Sequence, residues 1–284
     1  MTEAGNIPFT RAAAPPRHAV PPGAVDCHHH VYDAVVPATP GARAHPEARL
    51  EDHGRLLALL GVERHVLVQP STYGFDNAIH LAALRQAGMA RARMVAVVPP
   101  EGPVEELRPL ARAGVVGARA NLAQRVPLRP ADVAPLTRRI AGQGWHLQIF
   151  AQADLIADLA EVLHTAPCEV VFDHFAGLPA RDWQAHPAWR VVAGMLEAGR
   201  AWVKLSSPYA LDPRNPLAVG DLARALVRLA PERLVWGTNW PHPNAEAPPD
   251  DAALLDALSD WVPAEAARRA ILVDNPARLY GFSR

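Results

Sequence analysis

The chain lacks a surplus of charge, long apolar runs and a framework of cysteines. Its 284 residues carry a formal net charge of −1 and only two cysteines. Near-balanced charge without basic runs leaves no electrostatic footprint for nucleic acid or for an anionic membrane surface, so the expected partner is a small molecule. No apolar run approaches the ~20 residues that a bilayer-spanning helix needs. The stretch Met1–Pro22 has no basic start followed by a continuous apolar segment, so it does not read as a secretory signal. Cys27 and Cys168 both lie in apolar strand-like runs, which predicts buried thiols, no disulfide and a soluble cytoplasmic protein.

A glycine-rich phosphate turn after the first strand is missing as well, which argues against a doubly wound dinucleotide-binding sheet. What the chain has instead is a long alternation. Strand-like runs fall at Val25–His30, His65–Gln69, Met94–Val98, Gly117–Asn121, His146–Phe150, Val170–Asp173, Trp202–Leu205 and Leu234–Trp236. Helix-period segments lie between them, among them Glu51–Leu60, Asn77–Ala87, Val104–Ala113, Ala131–Ala141, Asp154–His164, Pro187–Ala198 and Pro216–Leu229. Strands recurring about every 30 residues in a chain near the usual ~250 residues predict an α/β fold, the closed TIM (β/α)8 barrel. We expect one barrel domain over residues 23–284. Prolines 15, 16, 21 and 22 make residues 1–22 an extended arm, and Pro263–Ile271 an extra helix before a docking segment, Asn275–Phe282.

In such a barrel the active site is built at the C-terminal strand ends. Polar residues gather there: His28 and His30, Ser71 and Tyr73, Arg119 and Asn121, Gln148, Asp173 and His174, Ser206 and Ser207, then Asn239 and His242. Residues two apart on a strand share a face, so His28 and His30 point together while Cys27 and His29 point away. Paired imidazoles suit metal ligation or hydrogen bonding to a substrate oxygen. Elsewhere the plain expectation is structural: Trp145, Trp189, Trp202 and Trp261 for packing, and His53, His80 and His164 on solvated outer helix faces. Trp240 is divided between packing and lining the pocket, and His242 could orient a neighbouring ligand-facing group.

The runs Asp26–His30, Gln69–Asn77, Asp173-His174 and Trp236–Pro243 together resemble the amidohydrolase superfamily. Within it they are similar to the branch containing pyrone-dicarboxylate lactonase and galactarolactone isomerase, over almost all of Val25–Phe282. The resemblance implies an enzyme acting on a lactone, without a required metal. Many relatives hold two metals with a carboxylated lysine on strand four, whereas the one lysine here is Lys204, on strand seven. Asn239 stands where the branch has an aspartate that acts as general base, and an amide is both a poor metal ligand and a poor base. A single zinc on His28, His30 and His174 is the remaining metal option.

What the resemblance implies for the reaction is that His28, His30 and His174 donate hydrogen bonds to the lactone carbonyl as it becomes anionic. Such donors are worth about 3–4 kcal/mol each. A histidine then replaces the missing base and water opens the ring, or a hydroxyl of the substrate attacks and the lactone isomerises. A non-catalytic binder is the rival from another class. Arg119 and Arg125 match arginines that hold a substrate carboxylate, and Ser71, Tyr73, Asn77 and Gln148 complete the expected contacts. Phe175-Ala176-Gly177 and Ala210 stand where relatives carry further arginines, so a lactone with one carboxylate is expected. Outer barrel helices offer surface for a homo-oligomer, and no residue pattern selects one.

Overall fold

The computed structural model describes residues 7–124 and 126–283. Eight strands, β1 (Val25–His29), β2 (Arg64–Val68), β3 (Ala92–Ala96), β4 (Val115–Asn121), β5 (His146–Phe150), β6 (Val170–Phe172), β7 (Ala201–Leu205) and β8 (Leu234–Trp236), pair in chain order, every pair parallel. The residues after β8 close the barrel. Asn239 N–H donates to His28 O and His30 N–H to Trp240 O, each at 2.8 Å. Gly237 lies at this seam, where a Cβ would stand 2.7 Å from His28 N, so only glycine lets the sheet ends meet.

Asp26 ties the same seam. Its Oδ1 accepts from Thr238 N at 2.9 Å and His28 N at 3.1 Å, and its Oδ2 from the Thr238 hydroxyl at 2.6 Å. His53 Nε2 lies 2.9 Å from that Oδ2. Burial alone would raise this carboxyl, but these partners hold it below its usual value.

Helices cover the outside: α1 (Leu50–Leu60), α2 (Ala78–Ala87), α3 (Arg108–Ala113), α4 (Val133–Ala141), α5 (Ala153–Asp158), α6 (Ala160–Thr165), α7 (Pro187–Glu197), α8 (Pro208–Leu211), α9 (Gly220–Leu229), α10 (Asp251–Trp261), α11 (Glu265–Arg269) and α12 (Asn275–Tyr280). The expected helix over Asp154–His164 is two helices, parted at Leu159 with φ −86° and ψ 7°. Helix α10 follows Pro248-Pro249 and is capped by Asp250, whose side chain accepts from Ala253 N at 3.1 Å. The segment expected as one helix over Pro263–Ile271 is α11 followed by a π-turn, Ala270–Asp274, that runs directly into α12. Residues 7–22 form neither helix nor strand. They are pinned by Trp240 Nε1 donating to Pro8 O at 2.9 Å and by Arg17 against Asp256 at 3.0 Å.

Most of the core lies between sheet and helices, as the period-2 and period-3.6 patterns require. A separate cluster of Val25, Cys27, Val66, Val95, Val171, Trp202 and Val235 packs with Tyr280 and Phe282, so the C-terminal segment docks against the barrel's inward residues. Cys27 therefore does not point away from His28. A register shift between Asp26 and His29 sets three residue steps of β1 against two of β2, and this bulge turns both Cys27 and His28 inward. Cys27 is buried, with burial pushing its thiol well up, whereas Cys168 is partly exposed; both are free. Among the described residues no helix is long and apolar enough to cross a membrane.

Candidate active site

At the C-terminal mouth the structure gathers His28, His30 and His174. The His28 ring centroid lies 5.0 Å from that of His30 and 4.8 Å from that of His174. His174 arrives on a turn in which it, Phe175, Ala176 and Gly177 all have φ between 51° and 61°. Three non-glycine residues in that region store strain that packing must offset. Gly177 is obligatory there, because a Cβ would stand 2.3 Å from Ala151 O.

Beneath the imidazoles is a buried charge cluster. Asp173 Oδ1 lies 3.5 Å from Lys204 Nζ and 3.2 Å from His28 Nδ1, while Oδ2 takes Gln148 Nε2 at 3.0 Å and Arg119 Nε at 3.3 Å. Lys204 also donates to Gln148 Oε1 at 2.7 Å and Cys27 O at 2.9 Å. Burial would raise the Asp173 carboxyl, but the charge of its neighbours, Lys204 and Arg119 among them, holds it well below the usual carboxylate range. Burial likewise lowers Lys204, with Asp173 opposing, and pushes His28 down to about 4. His28 is thus neutral near neutral pH, and Lys204 and Arg119 are the cations that neutralise Asp173. Of the two contacts of His28 Nδ1, that to Lys204 at 3.4 Å is aligned as a hydrogen bond, whereas Asp173 Oδ1 receives no aligned donor. We assign His28 Nδ1 as the acceptor of that bond, which places the ring proton on Nε2, a buried atom without a protein partner among the described residues.

The recess above these rings has a volume of about 30 Å³ and is bordered by His30, His174, Ser71, Arg119, Asn239 and Arg43, among others. It adjoins a cleft of about 750 Å³, with which it shares Gln124 and Asn244. Asn239 Nδ2 donates to Tyr209 Oη at 2.9 Å, and Tyr209 Oη lies 2.8 Å from His242 Nδ1, whose Nε2 lies 3.2 Å from Asp251 Oδ2. That chain fixes the amide, leaving Asn239 Oδ1 as the group free to face the recess.

Not every expected contact is brought to this recess. Tyr73 Oη accepts from Asp33 N at 2.9 Å, and Asn77 clasps Val97 through N–H to Oδ1 at 3.1 Å and Nδ2 to O at 2.8 Å, so both hold loops. Gln148 is fully buried beneath the rings, between Lys204 and Asp173. Arg119 reaches the recess wall but is also ion-paired with Asp173 and donates to Gln69 O at 3.3 Å. Ser71 borders the recess with a buried, unpartnered hydroxyl. Arg125 lies outside the described residues.

Other positions correct the expectation. His53 and His80 are fully buried, the first against Asp26 and the second accepting from Val31 N at 3.3 Å. Trp240 is buried in an edge-on contact with Phe9 at 5.8 Å and does not border the recess. Sequence reasoning missed Lys204 as a site residue, Tyr209 with Asp251, and Arg43. A lone lysine inside an apolar strand was the available signal for the first, since a buried ammonium needs a partner.

The fit to a metal can be tested on the charges. His28, Asp173 and His174 offer ligand atoms within 4.8 Å of one another. Yet Asp173 is already bracketed by Lys204 and Arg119, and among the described residues those bordering the recess include two guanidiniums and no carboxylate. Such a surplus of positive charge suits an anion and opposes a divalent cation.

The chain is 34% identical over 283 residues to a 2-pyrone-4,6-dicarboxylate hydrolase of Comamonas testosteroni, covering 93% of this chain and 92% of that protein. It is 31% identical over 276 residues to a D-galactarolactone isomerase of Agrobacterium fabrum, covering 94% of each. A crystal structure of an Agrobacterium tumefaciens protein superposes with a TM-score of 0.87 at 29% identity, covering 96% of this chain and 98% of that one. With the amidohydrolase family model matching residues 25–282, the chain belongs to the amidohydrolase family.

Proposed function

We propose that the protein is a lactone-processing enzyme, in the first place a lactone hydrolase, acting without a metal in the cytoplasm. The observation that carries this reading is the buried, unpartnered His28 Nε2, to which we assign the ring proton, beneath a recess bordered by Arg43 and Arg119. A lactone carbonyl directed at that atom gains a hydrogen bond as its oxygen becomes anionic. His174 can supply a second. Its Nδ1 lies 2.8 Å from Ser206 Oγ, and a hydroxyl donating there leaves Nε2–H for the substrate. Lys204 and Arg119, held in place by Asp173, add fixed positive charge where negative charge develops.

The names of the relatives support a lactone, and Arg43 and Arg119 support a carboxylate on it. The surplus of cations supports a reaction independent of divalent metal, and the two free thiols support a reducing compartment. A second reading, isomerisation by a hydroxyl of the substrate, is favoured by Asn239, which cannot deprotonate water. A panel of lactones with and without a carboxylate tests the proposal. Turnover of carboxylated members, reduced at least 100-fold by His174→Ala with little change in KM, is expected; an inert panel would contradict it.

A further inference from the structure

The three imidazoles are not equivalent. His30 Nδ1 lies 2.6 Å from the backbone oxygen of Val68. A carbonyl only accepts, so this nitrogen carries the ring proton. Burial, with His28 and Arg119 nearby, lowers this histidine well below its ordinary value and keeps the ring neutral. Its Nε2 therefore presents a lone pair, and it has no protein partner among the described residues. His28, in contrast, has Nδ1 3.4 Å from Lys204 Nζ and, assigned as the acceptor there, presents N–H at Nε2. One ring offers a donor and its neighbour an acceptor, 5.0 Å apart between centroids. Asn239 borders the same recess and cannot take a proton.

The geometry points to His30 as the proton acceptor of the reaction, in place of an oxyanion donor. This inference rests on the lactone reading and assigns it a base. As the attacking hydroxyl of water, or of the substrate itself, forms its bond to the lactone carbonyl carbon, its proton passes to His30 Nε2. The carbonyl π pair moves to the oxygen held by His28. Collapse of the adduct re-forms the carbonyl and breaks the ring C–O bond, and the departing ring oxygen takes the proton back from His30. Hydrolysis adds one water overall and isomerisation adds nothing, and His30 ends neutral in both. Asn239 Oδ1, set by Tyr209, can accept a hydrogen bond that orients the nucleophile without removing its proton.

Two experiments test this. In protein carrying isotope-labelled histidine, nitrogen NMR reports each ring's tautomer, and the His30 signal is the one lost in His30→Gln or His30→Asn. The expected signal is a neutral ring protonated at Nδ1; one protonated at Nε2 overturns the proposal whether or not any lactone is turned over. The second is a double-mutant cycle on a lactone that the native protein converts. His30→Gln is expected to lower kcat about 100-fold or more in the native background, as loss of a general base does. With Asn239→Asp supplying another base, the loss should shrink to about 10-fold or less. An equal loss in both backgrounds makes His30 a donor and overturns the proposal, whereas failure of every lactone would count against the lactone reading itself.

Discussion

Lys204 Nζ lies 3.5 Å from Asp173 Oδ1, and both side chains are wholly shut off from solvent. Removing one member of a buried ion pair leaves the other charge without compensation, at a cost of about 3–5 kcal/mol. Lys204→Met should therefore lower the unfolding free energy measured in urea by an amount in that range, even with Arg119 still bound to Asp173. An unchanged free energy would mean that the pair does not support the floor of the site.

The same pair bears on metals. With Asp173 engaged by two cations, chelator-treated protein should keep its full activity, and added zinc should not raise its melting temperature. Activity lost on chelation and restored by one equivalent of zinc would show that His28, Asp173 and His174 bind a cation despite Lys204 and Arg119.

Tyr209 joins Asn239 to His242 and Asp251. Tyr209→Phe would deprive Asn239 Nδ2, Ser207 Oγ and His242 Nδ1 of their partner. Leaving buried polar groups unpaired costs about 1–3 kcal/mol, so we expect destabilisation of that order, measured by denaturant unfolding. Loss of amide orientation should also lower kcat by about 10-fold, since about 1.4 kcal/mol of barrier corresponds to that factor. A fully active variant would show that Asn239 needs no such guide.

The alternation of strands and helices was legible because most strands show a run of apolar residues and the barrel helices an apolar stripe. The polar residues at the strand ends were legible for the same reason, since they interrupt otherwise apolar runs. What could not be read is non-local. The bulge in β1 turns Cys27 inward because the register of β2 and the Asp26–Thr238 seam demand it. His53 looked like a solvated helix residue until Asp26, 27 positions earlier in the chain, supplied its partner. Gln148 was legible as a polar residue on strand five and expected to contact substrate, but only the folded chain reveals that it bridges Lys204 and Asp173.

Buried neutral histidines make the fold sensitive to acid. Burial pushes His28 down to about 4, and His65, His80 and His146 down to about 3. An unfolded chain binds these protons near the ordinary value of 6.5, so between that pH and the folded values the unfolded state holds more protons. Stability is therefore full above about pH 6.5 and declines as the pH falls, each ring adding a slope of about 1.4 kcal/mol per pH unit. Urea midpoints should fall steeply from pH 6.5 to pH 4.5; a flat profile would contradict neutral burial.

The most direct test of the central claim is to incubate metal-analysed protein with carboxylated lactones in water enriched in heavy oxygen, following products by NMR and mass. Hydrolysis predicts an opened acid carrying one solvent oxygen, and isomerisation a second lactone of unchanged mass without label. Asn239→Asp should raise the labelled, opened product, because a carboxylate there can deprotonate water. Bound lactone returned unchanged by the native protein and by this variant would contradict the account and make the histidine recess a binding site alone.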